Sequence, residues 1–343
     1  MAEASTIGLD LAKRVFQAHG ADASGAVVFR KRLRREQLLA FFAGQSACVV
    51  AMEACSSAHY WGREISALGH TVRLIPPAYV KPFVKRQKND MADAEAICEA
   101  AQRPTMRFVA VKSEATQANA VVFRARDLLV RQRTQAINAV RGHLTEYGLV
   151  VAKGPSHVTR LVEKVEDPAT GLPEAARLVL RVLMASLQFL SERIALLDRE
   201  ITRRARENNE IRRLTTIPGV GPVTATALAA LAPPAEGFRK GRDFAAWVGL
   251  TPLQHSTGGK QRLGATSKMG ERTLRRVLII GASSVVHHAV RHKHGTTAGS
   301  WLGQMLARKP RMLVIVALAN KMARTAWALQ ATGEIYRAPV TTA

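Results

Sequence analysis

Aromatic residues, cysteines and acidic residues are all scarce in this chain of 343 residues. Phe, Trp and Tyr make up only 5% of the sequence, which argues against a surface that binds nucleic acid mainly by stacking on bases. The 3 cysteines form no C-x-x-C motif, which indicates a reducing cytoplasm and thiols that pack as small hydrophobic groups. Asp and Glu number 26 against 50 Lys and Arg, a formal net charge of +24. This excess indicates a polyanionic partner, because each phosphate that a protein neutralises releases condensed counterions.

Long hydrophobic runs are also missing. No apolar run approaches the roughly 20 residues that cross a bilayer. The stretch "MLVIVALAN" from Met312 soon meets Lys321 and Arg324, so it predicts a buried helix and no membrane attachment. The N-terminus "MAEASTIGLD" has no basic region before a long apolar segment, so no signal peptide is expected. We therefore predict a cytoplasmic, nucleoid-associated protein whose partner is nucleic acid.

Secondary-structure patterns divide the chain into three regions and a tail. Residues 1–112 follow the order β-β-α-β-α-β-α, which predicts an α/β domain with a mixed sheet covered by helices. Residues 113–206 are predicted to form a long helix followed by a coiled coil. Residues 207–335 are predicted to form a mainly helical domain, and residues 336–343 a tail.

The coiled-coil prediction depends on a seam of Leu and Ile that recurs at alternating spacings of three and four from Leu180 to Ile201. Two interpretations are open. The seam belongs either to an ordinary helix that packs on its own domain or to a coiled coil that joins subunits.

The third region opens with Pro-Gly-Val-Gly-Pro before a helix of small residues, which resembles the turn of a helix-hairpin-helix module. In such a turn, Gly219 and Gly221 would let backbone N–H groups approach a phosphate closely. The alternative is a tight connection between helices without a ligand.

Four acidic residues stand where they could converge. Asp10 follows the apolar run "TIGL" and Glu53 ends "CVVAME", so both lie at ends of predicted strands. Asp90 and Asp93 lie nearly one helical turn apart and project from one face. Four uncompensated acids would repel one another, and a divalent cation such as Mg²⁺, which prefers carboxylate oxygens, would remove that repulsion. Alternatively, Asp90 caps a helix, Asp10 pairs with Lys13, and Glu53 pairs with a basic neighbour.

The stretches "GLDLAK", "AMEACSSAHYW" and "QKNDMADAEA" resemble the D-E-D-D motifs of an insertion-sequence transposase family, and the resemblance covers nearly the whole chain. It implies an N-terminal RuvC-like, ribonuclease H-like domain in which Asp10, Glu53, Asp90 and Asp93 bind Mg²⁺. The variant "ACSSAH" is similar to one subgroup. Some members are recombinases guided by a bridge or seeker RNA, so the resemblance also implies a structured guide RNA.

A second motif, "GLTPLQHSTGG", places hydroxyl groups between a proline turn and a glycine pair. The cations that follow it, Lys260, Arg262 and Lys268, would hold phosphate. A hydroxyl at this position could attack phosphorus and form a covalent protein–DNA ester. Taken alone, the motif also fits an ordinary loop.

The C-terminal transposase domain of the same family carries a nucleophilic serine in a similar "GL-x-P…S-G" context. This sequence departs from that pattern, because Thr257 stands directly before the first glycine and Ser256 precedes it. Serine is less hindered than β-branched threonine, so Ser256 is the predicted nucleophile and Thr257 the alternative.

These observations predict a transposase or site-specific recombinase that excises and inserts an insertion sequence in double-stranded DNA through a covalent seryl–DNA intermediate. The resemblance further implies a homodimer or tetramer in which the acids and the serine meet between subunits. Two alternatives stay open. One is a metal-dependent, structure-specific nuclease of the Holliday-junction type without a covalent intermediate, and the other is a non-enzymatic nucleic-acid-binding scaffold.

Overall fold

The computed structural model describes residues 3–85, 89–154, 157–291 and 300–338. The chain forms two compact units, Met1–Ala115 and Thr116–Ala343, called here the N-terminal unit and the C-terminal unit. The predicted fold class is confirmed at the level of a mixed α/β sheet domain followed by a mostly helical part. Most of the predicted tail lies outside the described residues.

The N-terminal unit is built around one five-stranded sheet. Its strands are β1 (Thr6–Asp10), β2 (Val15–Ala21), β3 (Val27–Arg34), β4 (Val49–Glu53) and β5 (Thr71–Ile75). Its helices are α1 (Leu38–Ala43), α2 (Ala58–Ala67), α3 (Pro77–Val80) and α4 (Asp90–Ala101). The strand order is β3-β2-β1-β4-β5, with β1 antiparallel to β2 and parallel to β4. This order is consistent with the ribonuclease H-like fold that the resemblance implies.

The sheet has one strand more before the first helix than the sequence predicted. The strand that the sequence did not predict is β2, "VFQAHGA", in which Gln17, His19 and Gly20 interrupt the apolar alternation. β2 nevertheless forms a strand inside the sheet, because β1 pairs with one of its edges and β3 with the other. His19 is buried although it is polar. Pairing on both sides and cover from α4 therefore outweigh the side-chain pattern.

The rest of the chain is mainly helical. Its helices are α5 (Glu114–Glu146), α6 (Val158–Glu166), α7 (Glu174–Glu207), α8 (Asn209–Leu214), α9 (Pro222–Leu231), α10 (Gly241–Trp247), α11 (Arg272–Arg291), α12 (Trp301–Arg308) and α13 (Arg311–Thr332). Two short strands, β6 (Pro252–Gln254) and β7 (Leu263–Thr266), form a hairpin. Among the described residues, one helix, α13, has the length and apolar composition needed to cross a membrane. It also lies against α10 and α11 and buries Val314 and Ala319, so the prediction of a buried helix is confirmed.

Four of the seven residues in the Leu and Ile seam of α7 are buried. Leu180 and Leu187 are buried in a cluster with Val140 of α5 and Leu161 of α6. Ile194 and other residues farther along the seam are buried as well. This packing agrees with the interpretation of an ordinary helix on its own domain. The contact between subunits stays a prediction, and it would have to use other residues of α7.

Candidate catalytic acids and serine hairpin

Helix α4 crosses the sheet in backbone contact with β1 at Gly8. A Cβ atom on Gly8 would overlap the carbonyl oxygen of Ala94 and the backbone nitrogen of Cys98. Only glycine allows this approach, because every other residue carries a Cβ. The crossing fixes α4 against the strand that ends at Asp10.

We expect Gly8→Ala to destabilise the N-terminal unit by about 1–3 kcal/mol, because an added methyl group must push two backbones apart. Urea unfolding would measure the change. Gly142→Ala is the matched control, since nothing lies within 4 Å of a Cβ added at that exposed position of α5. The control is expected to be neutral or up to about 1 kcal/mol more stable. Equal effects of the two substitutions would contradict the tight crossing.

The four predicted acids are carried by three neighbouring elements. Strands β1 and β4 are parallel with Leu9 opposite Met52, so Asp10 and Glu53 follow side by side at their carboxyl ends. Helix α4 begins with Asp90, and Asp93 lies in its first turn. The interpretation of Asp90 as the N-cap is wrong. Asn89 is the N-cap, and its side chain accepts a hydrogen bond from the Ala92 N–H at 2.8 Å.

Electrostatics show that these acids act on one another. Burial, followed by the charges of Asp93, Asp90 and Glu53, raises the pKa of Asp10 from 3.8 to about 6. Lys13, the alternative partner, is not among the groups that influence Asp10 in the described part of the chain. A hydrogen bond from the backbone N–H of Leu11 acts in the opposite direction and lowers the pKa of Asp10.

Cys55 lies close enough to Glu53 and Asp10 for their charges to affect its thiol. Partial desolvation, then the charges of Glu53 and Asp10, raises the pKa of its thiol. Its side chain is exposed, so the prediction that all the cysteines are packed inside is wrong for this residue, although it holds for Cys48 and Cys98. The difference arises because Cys55 follows the end of β4, where the chain leaves the sheet.

The donor set fits a hard divalent cation, although the side chains are not closed into a coordination shell. Among the residues that the structure describes, no three His, Cys, Asp or Glu side chains form a metal-binding cluster. The available donors are four carboxylates, the ligands that Mg²⁺ prefers. Burial and then the charges of the other three acids raise the pKa of Asp10, and a bound cation would relieve the repulsion between those charges.

Residues paired across the sheet connect Asp10 with the edge strand β3, which carries several cations. Asp10 pairs with Gln17, and Gln17 pairs with Arg32 on β3. Paired residues share one face of a sheet, with strands about 4.8 Å apart, so Arg32 lies two strand spacings from Asp10. Arg30 donates to Glu95 of α4 at 3.2 Å, which identifies this face as the one that α4 covers.

A groove of about 560 Å³ follows this edge and is lined by Gln17, Arg32 and Asp90 among others. Sequence reasoning missed Gln17 and Arg32, because it missed β2 and had no register. The signal that was available is the run of cations "RKRLR" on β3.

The serine motif forms the tip of the β6–β7 hairpin. Gly258 and Gly259 have φ angles of +55° and +74°. Backbone hydrogen bonds of 3.3 and 3.0 Å join Thr257 and Lys260 across them. Two positive φ angles at the centre of a two-residue turn are typical of a type I′ hairpin, which explains the glycine pair. Pro252, interpreted as a turn residue, instead begins β6.

The two candidate nucleophiles differ in what holds them. The Ser256 hydroxyl accepts hydrogen bonds from the Arg262 backbone N–H and the Gln254 side-chain amide, both at 3.2 Å. Thr257 takes part in the turn through its backbone. Both side chains are exposed. The hairpin therefore fixes the Ser256 oxygen at a position that a substrate can reach.

The predicted phosphate-binding cations lie on or just after the same hairpin. Lys260 and Arg262 are exposed near its tip, and Lys268 follows β7 with a φ angle of +53°. Lys260 and Arg262 thus share the hairpin with Ser256, and Lys268 lies just beyond its second strand. Their contact with phosphate stays a prediction.

Buried Arg275 ties together the two ends of the segment that carries the hairpin. Its guanidinium donates to the carbonyl oxygen of Val248 at 2.9 Å and to that of Met269 at 2.7 Å. Burial lowers the pKa of this side chain. Gly249 is required beside it, because a Cβ there would overlap the Met269 carbonyl oxygen. This arginine is a positioning residue that sequence reasoning did not find.

The two glycines of the Pro-Gly-Val-Gly-Pro turn have different surroundings. Gly219 has a φ angle of +85°, and a Cβ there would lie 2.8 Å from the Gly281 carbonyl oxygen of α11. Its small size therefore serves a close chain crossing. Gly221, which precedes α9, has open space around it, so it is the better placed of the two for the predicted phosphate contact.

A mixed sheet of this strand order, with acids at the ends of two parallel strands and in the first turn of α4, is consistent with a ribonuclease H-like domain. Two family models match the chain: a DEDD transposase model of the IS110 type at residues 7–149, and the model described as "Transposase IS116/IS110/IS902 family" at residues 211–296.

Whole-length relatives agree with these matches. The chain is 51% identical to a probable family 20 transposase of Pseudomonas aeruginosa, over 97% of this chain and 98% of the relative. It is 40% identical to the transposase for insertion sequence element IS1328 of Yersinia enterocolitica, over 98% and 99%. It is 38% identical to the transposase for element IS1111A of Coxiella burnetii, over 98% and 92%. The chain belongs to the IS110/IS116 transposase family and is a DNA transposase. Its DEDD domain points to dependence on a divalent metal.

Proposed function

We propose that this transposase excises and inserts an insertion sequence by Mg²⁺-dependent cleavage and rejoining of double-stranded DNA through a covalent seryl–DNA intermediate. The observation that carries the proposal is the group of carboxylates around Asp10, where burial and then the charges of the other three acids raise the pKa of Asp10 to about 6. Keeping such acids together costs stability. Binding of a cation and a DNA phosphate at these acids would explain why the protein keeps them together.

Asp10, Glu53, Asp90 and Asp93 would hold the metal, which when bound neutralises charge on the phosphodiester. Ser256 Oγ would attack phosphorus and give up its proton. The new Oγ–P ester replaces one P–O bond to deoxyribose, and that oxygen leaves as a hydroxyl group. A hydroxyl of the partner strand then displaces the serine and regenerates Oγ–H, so no bond energy is lost to water. Thr257 is the alternative nucleophile.

The cations have a separate task. Arg32, beside Gln17 and Asp90, is placed to hold a phosphate next to the acids. On the hairpin, Lys260, Arg262 and Lys268 would hold the phosphate that Ser256 attacks. Backbone N–H groups at Gly221 would add a contact to the DNA backbone.

Further partners follow from the family. We propose a structured guide RNA, to which the net charge of +24 is suited. We also propose a homodimer or tetramer in the bacterial cytoplasm, associated with the nucleoid. The names of the IS1328 and IS1111A relatives support an insertion sequence as the substrate.

The proposal is tested with purified protein, DNA carrying the ends of the element, and RNA transcribed from the sequence beside it. Strand cleavage is expected in Mg²⁺, and EDTA or Asp93→Asn should remove it. Cleavage without rejoining would favour the structure-specific nuclease. Binding to DNA without metal-dependent chemistry in any combination would favour the scaffold and contradict the proposal.

Arg32→Gln is expected to weaken DNA binding by this protein and to reduce the slope of log K against log salt concentration by about 1, the amount for one lost phosphate contact. Fluorescence anisotropy over a range of NaCl concentrations in Ca²⁺ would measure both quantities. Arg103→Gln is the matched control. Arg103 pairs with Glu99 near the far end of α4, so its loss should leave the slope unchanged. Equal slopes for wild type and Arg32→Gln would exclude the contact.

A further inference from the structure

A cavity of about 1460 Å³ opens in the C-terminal unit beside the serine hairpin. One wall is formed by the hairpin itself, through Pro252 of β6 and Gly264 of β7. The floor is a face of α13, and the start of α10 and the chain that follows α13 close the sides. No step of the proposed strand transfer uses this space.

Aromatic rings line this cavity although the chain as a whole has few. Of the 4 tryptophans in the sequence, Trp301 and Trp327 line the cavity, together with Tyr336. Trp301 is 37% exposed, and the Lys321 ammonium lies 4.8 Å from its ring centroid. Trp327 is held in place because its indole N–H donates to the Ala235 carbonyl oxygen at 3.0 Å. Fixed, partly exposed rings can stack on a planar ligand at little cost in conformational entropy.

The charges around the rings are almost all positive. Glu334 is the only acidic residue that lines the cavity in the part of the chain that the structure describes. The cations that line it are Lys240, Arg242, Lys321, Arg324 and Arg337. A ligand that complements this wall is therefore a polyanion that also has apolar faces.

The floor of the cavity is apolar and low. It consists of small and aliphatic side chains of α13, including Val316, Ala317 and Ala328. Flat aromatic groups can lie on such a floor, while their charged parts reach the rim. Unpaired nucleotides have this chemistry. In a duplex the base faces are covered by their neighbours, so a duplex offers phosphates, sugars and base edges but no free base faces.

We propose that this cavity binds a short unpaired segment of nucleic acid, with bases stacked on Trp301 and phosphates on Lys321 and Arg324. Such a segment occurs wherever DNA strands are opened or a folded RNA exposes a loop. The overall scarcity of aromatic residues predicted that stacking would be unimportant. Two tryptophans and one tyrosine nevertheless line this one cavity, next to the hairpin that carries Ser256.

The test uses the full chain in EDTA, so it does not depend on strand cleavage. Oligothymidine, an abasic oligomer of equal length and a duplex would be titrated while tryptophan fluorescence and affinity are recorded. We expect oligothymidine to quench the fluorescence and to bind more tightly than the abasic oligomer. Trp301→Leu should weaken oligothymidine about tenfold, the value of one stacked base, and leave the abasic oligomer unchanged. Lys321→Gln should weaken both.

Phe189→Leu is the matched control. Phe189 is an exposed ring of α7 with the Arg193 guanidinium 4.8 Å from its centroid, the same arrangement at a different surface. It should not change either affinity, and Trp301→Phe should restore most of the preference if the fold is intact. Equal binding of oligothymidine and the abasic oligomer by the wild type would overturn the proposal. So would a Trp301→Leu protein that changes only in oligomeric state, since the cavity would then serve a protein contact.

Discussion

Asp10→Asn is expected to abolish metal-dependent strand cleavage and, without metal, to make the protein more stable at neutral pH. Loss of activity follows because the variant lacks one of four carboxylates proposed to hold the cation. We expect a loss of at least about a hundredfold, the usual effect of removing one group that stabilises developing charge. The gain in stability follows from the electrostatics of the folded state, in which burial and three other acids oppose the charge on Asp10.

The sign and the pH range come from the raised pKa of Asp10, which is about 6 against an ordinary 3.8. The folded state binds the proton more tightly than the unfolded state, so its contribution to stability is fully present below pH 3.8 and is lost as the pH rises through about 6. The full shift corresponds to about 3 kcal/mol. Since Asp10 is only partly buried, solvent screening reduces the expected difference to about 1–2 kcal/mol.

Urea unfolding in EDTA at several pH values measures this difference. The variant should gain on the wild type between pH 4 and pH 7 and match it most closely below that range. Asp22→Asn is the control of opposite sign, because hydrogen bonds from Ser24 and Ala26 lower the pKa of this exposed carboxyl. Added Mg²⁺ should stabilise the wild type and leave Asp10→Asn almost unchanged. A variant less stable than the wild type at neutral pH would show that the acids are salt-bridge partners rather than a metal site.

Ser256→Ala is expected to remove strand transfer almost completely, by at least about a thousandfold, since loss of a covalent nucleophile removes the reaction path itself. Folding should be little affected, because Ser256 is exposed at the tip of a hairpin and its hydroxyl accepts only two local hydrogen bonds there. Thr257→Ser, which keeps a hydroxyl at the alternative position, should stay active.

The decisive measurement is a covalent adduct. The protein would be expressed with its native flanking DNA, digested with nuclease and protease, and searched by peptide mass spectrometry for a nucleotide on residues 255–262. An adduct on Ser256 that disappears in Asp93→Asn would join the two halves of the proposed chemistry. An adduct on Thr257 would move the nucleophile by one residue. DNA cleavage by Ser256→Ala and Thr257→Ala proteins at the wild-type rate would contradict the seryl intermediate and favour hydrolysis.

The positions of the four acids on β1, β4 and α4 could be predicted because their signals are local, while their role as metal ligands stays a prediction. Each acid stands at the end of an apolar run or in the first turn of a helix, and those positions can be read without knowing the sheet. Arg32 could not be found in this way. Its relation to Asp10 passes through Gln17 on β2, a strand whose polar residues hide it and whose register is a long-range property.

The serine motif shows a different limit. Its glycine pair and neighbouring cations were visible, but the β-hairpin they form was not, because a mainly helical region gives no reason to expect two short strands. The role of Arg275 could not be predicted from the sequence, because its two carbonyl partners lie 27 and 6 residues away along the chain. The Leu and Ile seam of α7 predicted an apolar contact correctly and left its partner open. Periodicity identifies a buried face but carries no information about which surface buries it.

The clamp made by Arg275 also separates the behaviour of the serine hairpin from that of the core beneath it. The hairpin has two short strands and an exposed tip, and Arg275 holds the points where its segment leaves and rejoins the helices. Strands this short can open and re-form while α10 and α11 stay packed, because the hairpin contributes no residue to the large buried cluster of this unit. Ser256, the proposed nucleophile, thus lies on a hairpin that can open locally around a distorted DNA strand and re-form afterwards, without any unfolding of the helical core that carries it.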